Sequence, residues 1–286
     1  MRLAIHFQAR MKGRKRIALA LFLILTLGIS AVSYAQRRGN RGGMRGIKRP
    51  EHITWNSDFT FCRLAYREAP DGDGGGWGVD YPRSDINLPI RLSELTKAPV
   101  NFDEFKEPNH VVIQATEPEL FKCPFVMMSE FGSAYISPTE AEGLRNYLQK
   151  GGFLWVDDAW GDYAWQHWVR ELRKILPEHQ YPIFDIPMNH SIFHTLFDAQ
   201  RVPQIPAIGN SYRRGRTDER WDDPTDDKAY ARAVSDDKGR IMVLMTLNTD
   251  FGDAYERESD DPTYFYTFSV EGYAIGINVL LYAMTH

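Results

Sequence analysis

Two hydrophobic periods alternate along the chain. Residues 58–66, DFTFCRLAY, alternate apolar and polar positions with aromatic weight, the period of a strand. Leu88, Leu92 and Leu95 then recur at helical spacing within residues 84–96. Short strand-like runs follow around 99–115. Residues 124–130, PFVMMSE, form a continuous apolar run of the kind buried on both faces of a parallel sheet.

The helix after that run carries its own boundary signals. Ser137 is an N-cap, Pro138 takes the first helical position, and Glu140 completes a capping box. Leu144, Tyr147 and Leu148 make its apolar face, and Gly151 is placed to end it. A short apolar strand follows at once in GGFLWVDDAWGD, residues 151–162. Trp165, Trp168, Val169, Leu172, Ile175 and Leu176 then mark an amphipathic helix from about Tyr163 to Leu176, ended by Pro177. Residues 181–187 give another short strand and 189–197 one or two helical turns. Residues 198–235 are proline-punctuated and densely charged, and predict an irregular excursion over the sheet's edge. A strong buried strand over 239–250 and a helix over 266–284 close the chain.

Strands that alternate with helices and are themselves apolar predict an α/β fold. The sheet is expected to be mostly parallel, flavodoxin-like in order, with helices on both faces. In such sheets ligands bind at the carboxyl ends of the strands. Those ends are polar here: Trp77, Asp80 and Tyr81 follow the first strand, Glu130 the third, Asp157, Asp158 and Trp160 the fourth, and Asn248, Asp250 and Asp253 the last. Carboxylates drawn from separate strands suit a hard divalent cation or an acid/base pair in hydrolysis. With aromatic rings nearby they also suit a sugar. The plain alternative is that Asp157 or Asp158 caps a helix and the others are turn residues.

Composition narrows the setting. Residues 1–50 hold 12 of the 34 Lys/Arg and none of the 38 Asp/Glu, so the remaining body carries a net charge of −16. Such a body is a poor partner for nucleic acid, whose phosphates require a basic surface. The first 35 residues have the layout of an export signal. A basic stretch precedes an apolar run from Ile17 to Ile29, with Ser33 and Ala35 as small residues before a cleavage point. Retained, the same segment is an N-terminal anchor and the chain's one membrane contact. Residues 36–57 follow as a linker whose first part holds six cations and four glycines. The expected location is the periplasm or cell envelope. The expected partner is a carbohydrate or an envelope protein, and no pattern names a cofactor.

Cys62 and Cys123 are the two cysteines. They can pair in an oxidising compartment, but buried free thiols are the simpler expectation. His190 and His194 lie four apart without the HExxH pattern, which favours core or capping roles over a metal. The glycine-rich loop DGDGGGWGVDYP lacks the GK[ST] ending of a phosphate loop.

FTFCRLAY, WGVDYP, RLSELTK, LRNYLQKGGFLWVDD, NHSIFH, VPQIPAIG and GRIMVLMTLNTDFGDAYE, closing with YAMTH, fall in one order over residues 58–286. Together they resemble the bacterial family called domain of unknown function 4159. The helix–Gly-Gly–strand unit is also similar to that of ThuA-like proteins in the class I glutamine amidotransferase-like superfamily. That resemblance implies a flavodoxin-like sheet. Amidotransferases of that superfamily place a nucleophilic Cys on a strand–helix elbow; no Cys stands at an elbow here, so that activity is not expected.

Overall fold

The computed structural model describes residues 46–214, 216–219 and 224–286. The export signal, its alternative as an anchor, and most of the basic stretch lie outside the described residues. Among the described residues there are nine strands: β1 (Phe61–Ala65), β2 (Arg67–Glu68), β3 (His110–Gln114), β4 (Val126–Ser129), β5 (Ala134–Tyr135), β6 (Leu154–Asp157), β7 (Phe184–Asp185), β8 (Tyr230–Ser235) and β9 (Ile241–Leu247). Seven of them form one sheet in the order β3-β1-β4-β6-β9-β8-β7, and β2 pairs with β5 apart from it. The pairs from β3 across to β9 are parallel, whereas β8 runs antiparallel to both β9 and β7. The five parallel strands have the flavodoxin-like order, with the topological switch between β1 and β4.

Alternation along each strand feeds two cores. Cys62, Leu64, Val126, Met128, Leu154 and Val156 pack on one face beneath helices α2 (Pro138–Gln149) and α3 (Gly161–Ile175). Phe61, Met127, Phe153, Trp155 and Leu244 pack on the other with α1 (Arg83–Leu95), α5 (Phe251–Glu256) and α7 (Val270–Thr285). Two short helices, α4 (Ile208–Arg214) and α6 (Pro262–Tyr264), complete the set. A sheet buried on both sides needs apolar residues on both parities of its strands, which is why β4 and β6 read as unbroken apolar runs.

Ser137 caps α2 as expected. Its hydroxyl accepts from the Glu140 amide, and the Glu140 carboxylate accepts from the Ser137 amide at 2.8 Å. Gly151 follows the helix in the left-handed region at φ 104°, where a side chain would be strained.

Three expectations change. Residues 230–235, expected to be irregular, form β8, whose full-length antiparallel pairing with β9 outweighs its weak local pattern. Cys62 and Cys123 are not free thiols but form a disulfide, with Cα atoms 6.1 Å apart. The expected linker joins the folded unit from Ile47. The carbonyl of Lys48 accepts from the Val112 amide, and its ammonium meets Asp103 and Glu107 at 3.3 and 3.0 Å. His190 takes the capping role expected of it, accepting from the Ile192 amide. No helix among the described residues is long and apolar enough to cross a membrane.

Candidate functional site

The acidic strand ends converge on one rim. Oxygen atoms of Asp80, Asp158 and Asp250 lie within 4.8 Å of one another, and so do those of Asp80, Asp253 and Glu256. Asp80 belongs to both groups. It is 7% exposed, Asp158 5%, and Asp250 and Asp253 4% each, so water screens their mutual repulsion poorly. Two carboxylates at that separation repel by about 3 kcal/mol at an effective dielectric near 20. Burial, followed by the charges of Asp253 and Glu256, holds the Asp80 carboxyl well above the usual range. Burial with Glu130 and Asp80 does the same to Asp158, and burial with Asp158 and Asp80 to Asp250. Among the described residues, no Lys or Arg forms an ion pair with any of these three.

The backbone at this rim is unusual. Asp80, Glu130, Asp158 and Asn248 all hold φ between 53° and 63°. That region disfavours side chains, and Asp and Asn tolerate it best. Glu130 turns β4 directly into a short 3-10 turn, a strand-to-helix elbow. The Tyr66 hydroxyl lies 2.8 Å from the carbonyls of both Ser129 and Glu130 and pins that elbow. The glycine-rich loop wraps it. A Cβ at Gly74 would fall 2.3 Å from Glu130 Oε2, so the loop's glycines serve close approach to the elbow.

Asp80 is positioned by Arg63, a residue with no exposed surface. The Arg63 guanidinium donates to both Asp85 carboxylate oxygens from Nε, at 2.9 and 2.8 Å. It also reaches Ser84, Ser129 and the carbonyls of Trp77 and Val79. The strand end, the start of α1 and the loop carrying Asp80 are thereby fastened to one side chain. Arg63 shares a strand face with Phe61, so its charge enters a mostly apolar layer and is tolerated there because each of its donors is satisfied.

The other strand-end residues do different work. Asp157 accepts from the Thr246 hydroxyl with one oxygen. With the other it accepts from the amides of Phe251 at 2.8 Å and Gly252 at 3.2 Å. It therefore caps α5 from another strand; burial raises its pKa to about 7 against these hydrogen bonds. Asn248 is a clamp. It accepts from the Gly161 amide and donates to the carbonyls of Thr225 and Lys228, holding the charged excursion at the rim. Asp250 caps α5 through the Asp253 amide and still faces Asp80 and Asp158.

The aromatic candidates have partners within the fold. Trp160 is 4% exposed and donates its indole N–H to Asp158 at 2.9 Å, so it orients that carboxylate and presents no ring face to a ligand. Trp77 and Tyr81 pack against each other, and the Tyr81 ring also meets His110 of β3. The Tyr81 hydroxyl accepts from the Lys48 amide, which ties that ring to the sheet edge, while Trp77 packs on the core partly buried. Of the ten strand-end candidates, Asp80 comes together with Asp158 and Asp250 on one side and with Asp253 on the other. Glu130 is close enough to raise Asp158.

Sequence reasoning missed Glu256 and Arg63. Glu256 had a signal: positions 250, 253 and 256 are three apart, which places them on one helical face. Arg63, inside an alternating strand, had none.

The domain-of-unknown-function model DUF4159 matches residues 60–284. The chain belongs to this family. No curated protein matches it.

Proposed function

We propose that this is an exported envelope protein whose rim holds a hard divalent cation between Asp80, Asp158 and Asp250, and binds an oxygen-rich ligand such as a carbohydrate through that cation. The carrying observation is the convergence of three buried carboxylates from three different segments with no Lys or Arg paired to them. Oxygens within 4.8 Å of one another fit a Ca²⁺ ion, whose ligand distances are about 2.3–2.6 Å. A cation removes the repulsion that otherwise forces these groups to hold protons. Coordination positions left open accept hydroxyl or carboxylate oxygens of a ligand, so no stacking ring is required.

The N-terminal pattern supports export. The Cys62–Cys123 disulfide suits an oxidising compartment. The strand order and the Glu130 elbow support placement beside the class I glutamine amidotransferase-like proteins. Glutamate stands at this elbow in place of a nucleophile, and Cys123 is held in the disulfide, which leaves no thiol for acyl transfer.

The test is thermal. Chelator-treated protein is melted with added Ca²⁺, Mg²⁺ or Mn²⁺, then with sugars in the presence of the stabilising ion. A rise in melting temperature that Asp158→Asn removes supports the reading. A cation concentration of 100 Kd stabilises by about 2.7 kcal/mol, which a melt resolves readily. Unchanged melting with every ion defeats it.

A further inference from the structure

We propose that the rim holds two divalent cations bridged by Asp80, one between Asp80, Asp158 and Asp250 and the other between Asp80, Asp253 and Glu256. The inference rests on the cation reading above and extends it from one ion to two.

Three observations lead to it. First, both oxygen triads meet the same spacing limit, and Asp80 is their one shared member. A carboxylate has two oxygens, and one that serves two cations holds them at the roughly 3.5–4 Å separation of hydrolytic two-cation centres. Second, Asp80 Oδ2 is buried and has no hydrogen-bond donor. Buried carboxylate oxygens are ordinarily bonded, whereas this one faces the bare Gly252. A Cβ on Gly252 would stand 2.1 Å from Asp80 Oδ2 and 3.3 Å from Asp250 Oδ1, so the absence of a side chain at 252 keeps that space clear.

Third, one ion leaves the rim strongly negative. Asp80, Asp158, Asp250, Asp253 and Glu256 carry five negative charges when ionised, and Glu130 and Asp157 act on Asp158 as well. Among the described residues, the cation that pairs with members of the group is Arg257, which meets Asp253 at 3.2 Å and Glu256 at 2.8 Å. Arg63 pairs with Asp85 and only partly offsets the charge on Asp80. A second divalent ion reduces an excess that one ion leaves in place. Arg257 touches the second triad from the partly exposed side, and the carboxylates it meets keep lone pairs for a metal. The second site is thus the weaker of the two.

Paired cations polarise a ligand oxygen from two sides and activate a bound water. The substrate class that fits is an ester, phosphoester or amide cleaved by that water, with Glu130 across the rim. The body's net charge of −16 turns away polyanions.

The experiment is a titration of the chelator-treated full chain with Ca²⁺ alone by calorimetry, and with Mn²⁺ by electron paramagnetic resonance. The expected result is two ions per chain, the second at least tenfold weaker, with an exchange-coupled Mn²⁺ spectrum appearing between one and two equivalents. Glu256→Gln should bind one ion with first-site affinity within about threefold of wild type. Asp80→Asn should lose both sites by 100-fold or more. One ion in the wild type, uncoupled Mn²⁺, or Glu256→Gln still binding two overturns the two-cation arrangement while leaving the single-cation reading intact. No bound ion at all defeats that earlier reading instead. The wild-type stoichiometry and spectrum stand without any variant, and circular dichroism of the isosteric variants in chelator checks their fold.

Discussion

The carboxylate of Asp157 accepts a hydrogen bond from the main-chain amide of Phe251 at 2.8 Å, so the end of one strand caps the helix that follows another. Its neighbour Asp158 turns into the left-handed region and faces the acidic cluster. Adjacent aspartates thus differ: Asp157 caps a helix, whereas Asp158 belongs to the proposed cation site, and substitution separates the two. Asp157→Ala leaves the Thr246 hydroxyl and two buried amides without their acceptor. It should cost about 2–4 kcal/mol of stability, from a lost cap and unsatisfied donors. Asp158→Asn should cost less than about 1 kcal/mol in the metal-free chain, because it removes a repulsive charge. Urea denaturation in chelator compares the two, and a larger loss in Asp158→Asn contradicts the division.

Protonation gives the second expectation. The folded chain keeps the Asp157 proton to about pH 7, whereas an unfolded aspartate releases it near 3.8. Between those values the folded state binds more protons, so stability falls as pH rises through that window and levels off above it. Asp80, Asp158 and Asp250 shift in the same direction and add to the slope. In chelator the melting temperature should be higher at pH 5 than at pH 8. Saturating Ca²⁺ should flatten or reverse that dependence. A metal-free melting temperature that rises from pH 5 to pH 8 contradicts the buried-acid account.

Arg63 offers a third test. Lysine keeps the charge but not the fork that reaches Asp85, Ser84, Ser129 and two carbonyls. Arg63→Lys should lose about 1–3 kcal/mol, from buried acceptors left without a donor while the charge opposite Asp85 is retained. It should also weaken cation binding, because the loop bearing Asp80 loses its anchor. Denaturation and Ca²⁺ titration together check this; unchanged affinity would separate Arg63 from the site.

Gly252→Ala is the complementary change. It adds a methyl against Asp80 Oδ2 and near Asp250 Oδ1, while Gly252 itself supplies no side-chain ligand. Cation affinity should fall by at least tenfold with the chain still folded, as calorimetry would show.

The disulfide supplies a fifth. It joins residues 61 apart, and a closed loop of that length stabilises by about 4 kcal/mol in the chain-entropy model. Reductant, or the double change Cys62→Ala with Cys123→Ala, should lower the denaturation midpoint by a corresponding amount. Thiol titration of the native oxidised protein should find no free cysteine.

Much of the frame was legible because its signals are local. The capping box at Ser137 and Glu140, the stop at Gly151 and the apolar runs of β4, β6 and β9 each lie within a dozen residues. The clustering of Asp80, Asp158 and Asp250 followed from the general rule about strand ends. What stayed hidden depends on distant partners. Tyr230–Ser235 becomes a strand because β9 offers an edge. Trp160 turns inward because Asp158 accepts from its indole. Arg63 and Asp85 are 22 residues apart, and the two cysteines 61. No short-range pattern announces such pairs.

The left-handed backbone at Asp80 and Asp158 also bears on how this rim can change over evolutionary time. A replacement there faces two filters, one set by conformation and one by chemistry. Asparagine and glycine pass the first, since both adopt positive φ readily, and neither supplies the negative charge demanded by the second. The easiest route by which a descendant loses the site is therefore silent to the fold: an intact sheet carrying Asn or Gly at 80 and 158. A relative with Asn or Gly at both positions would keep the scaffold without the proposed cation site.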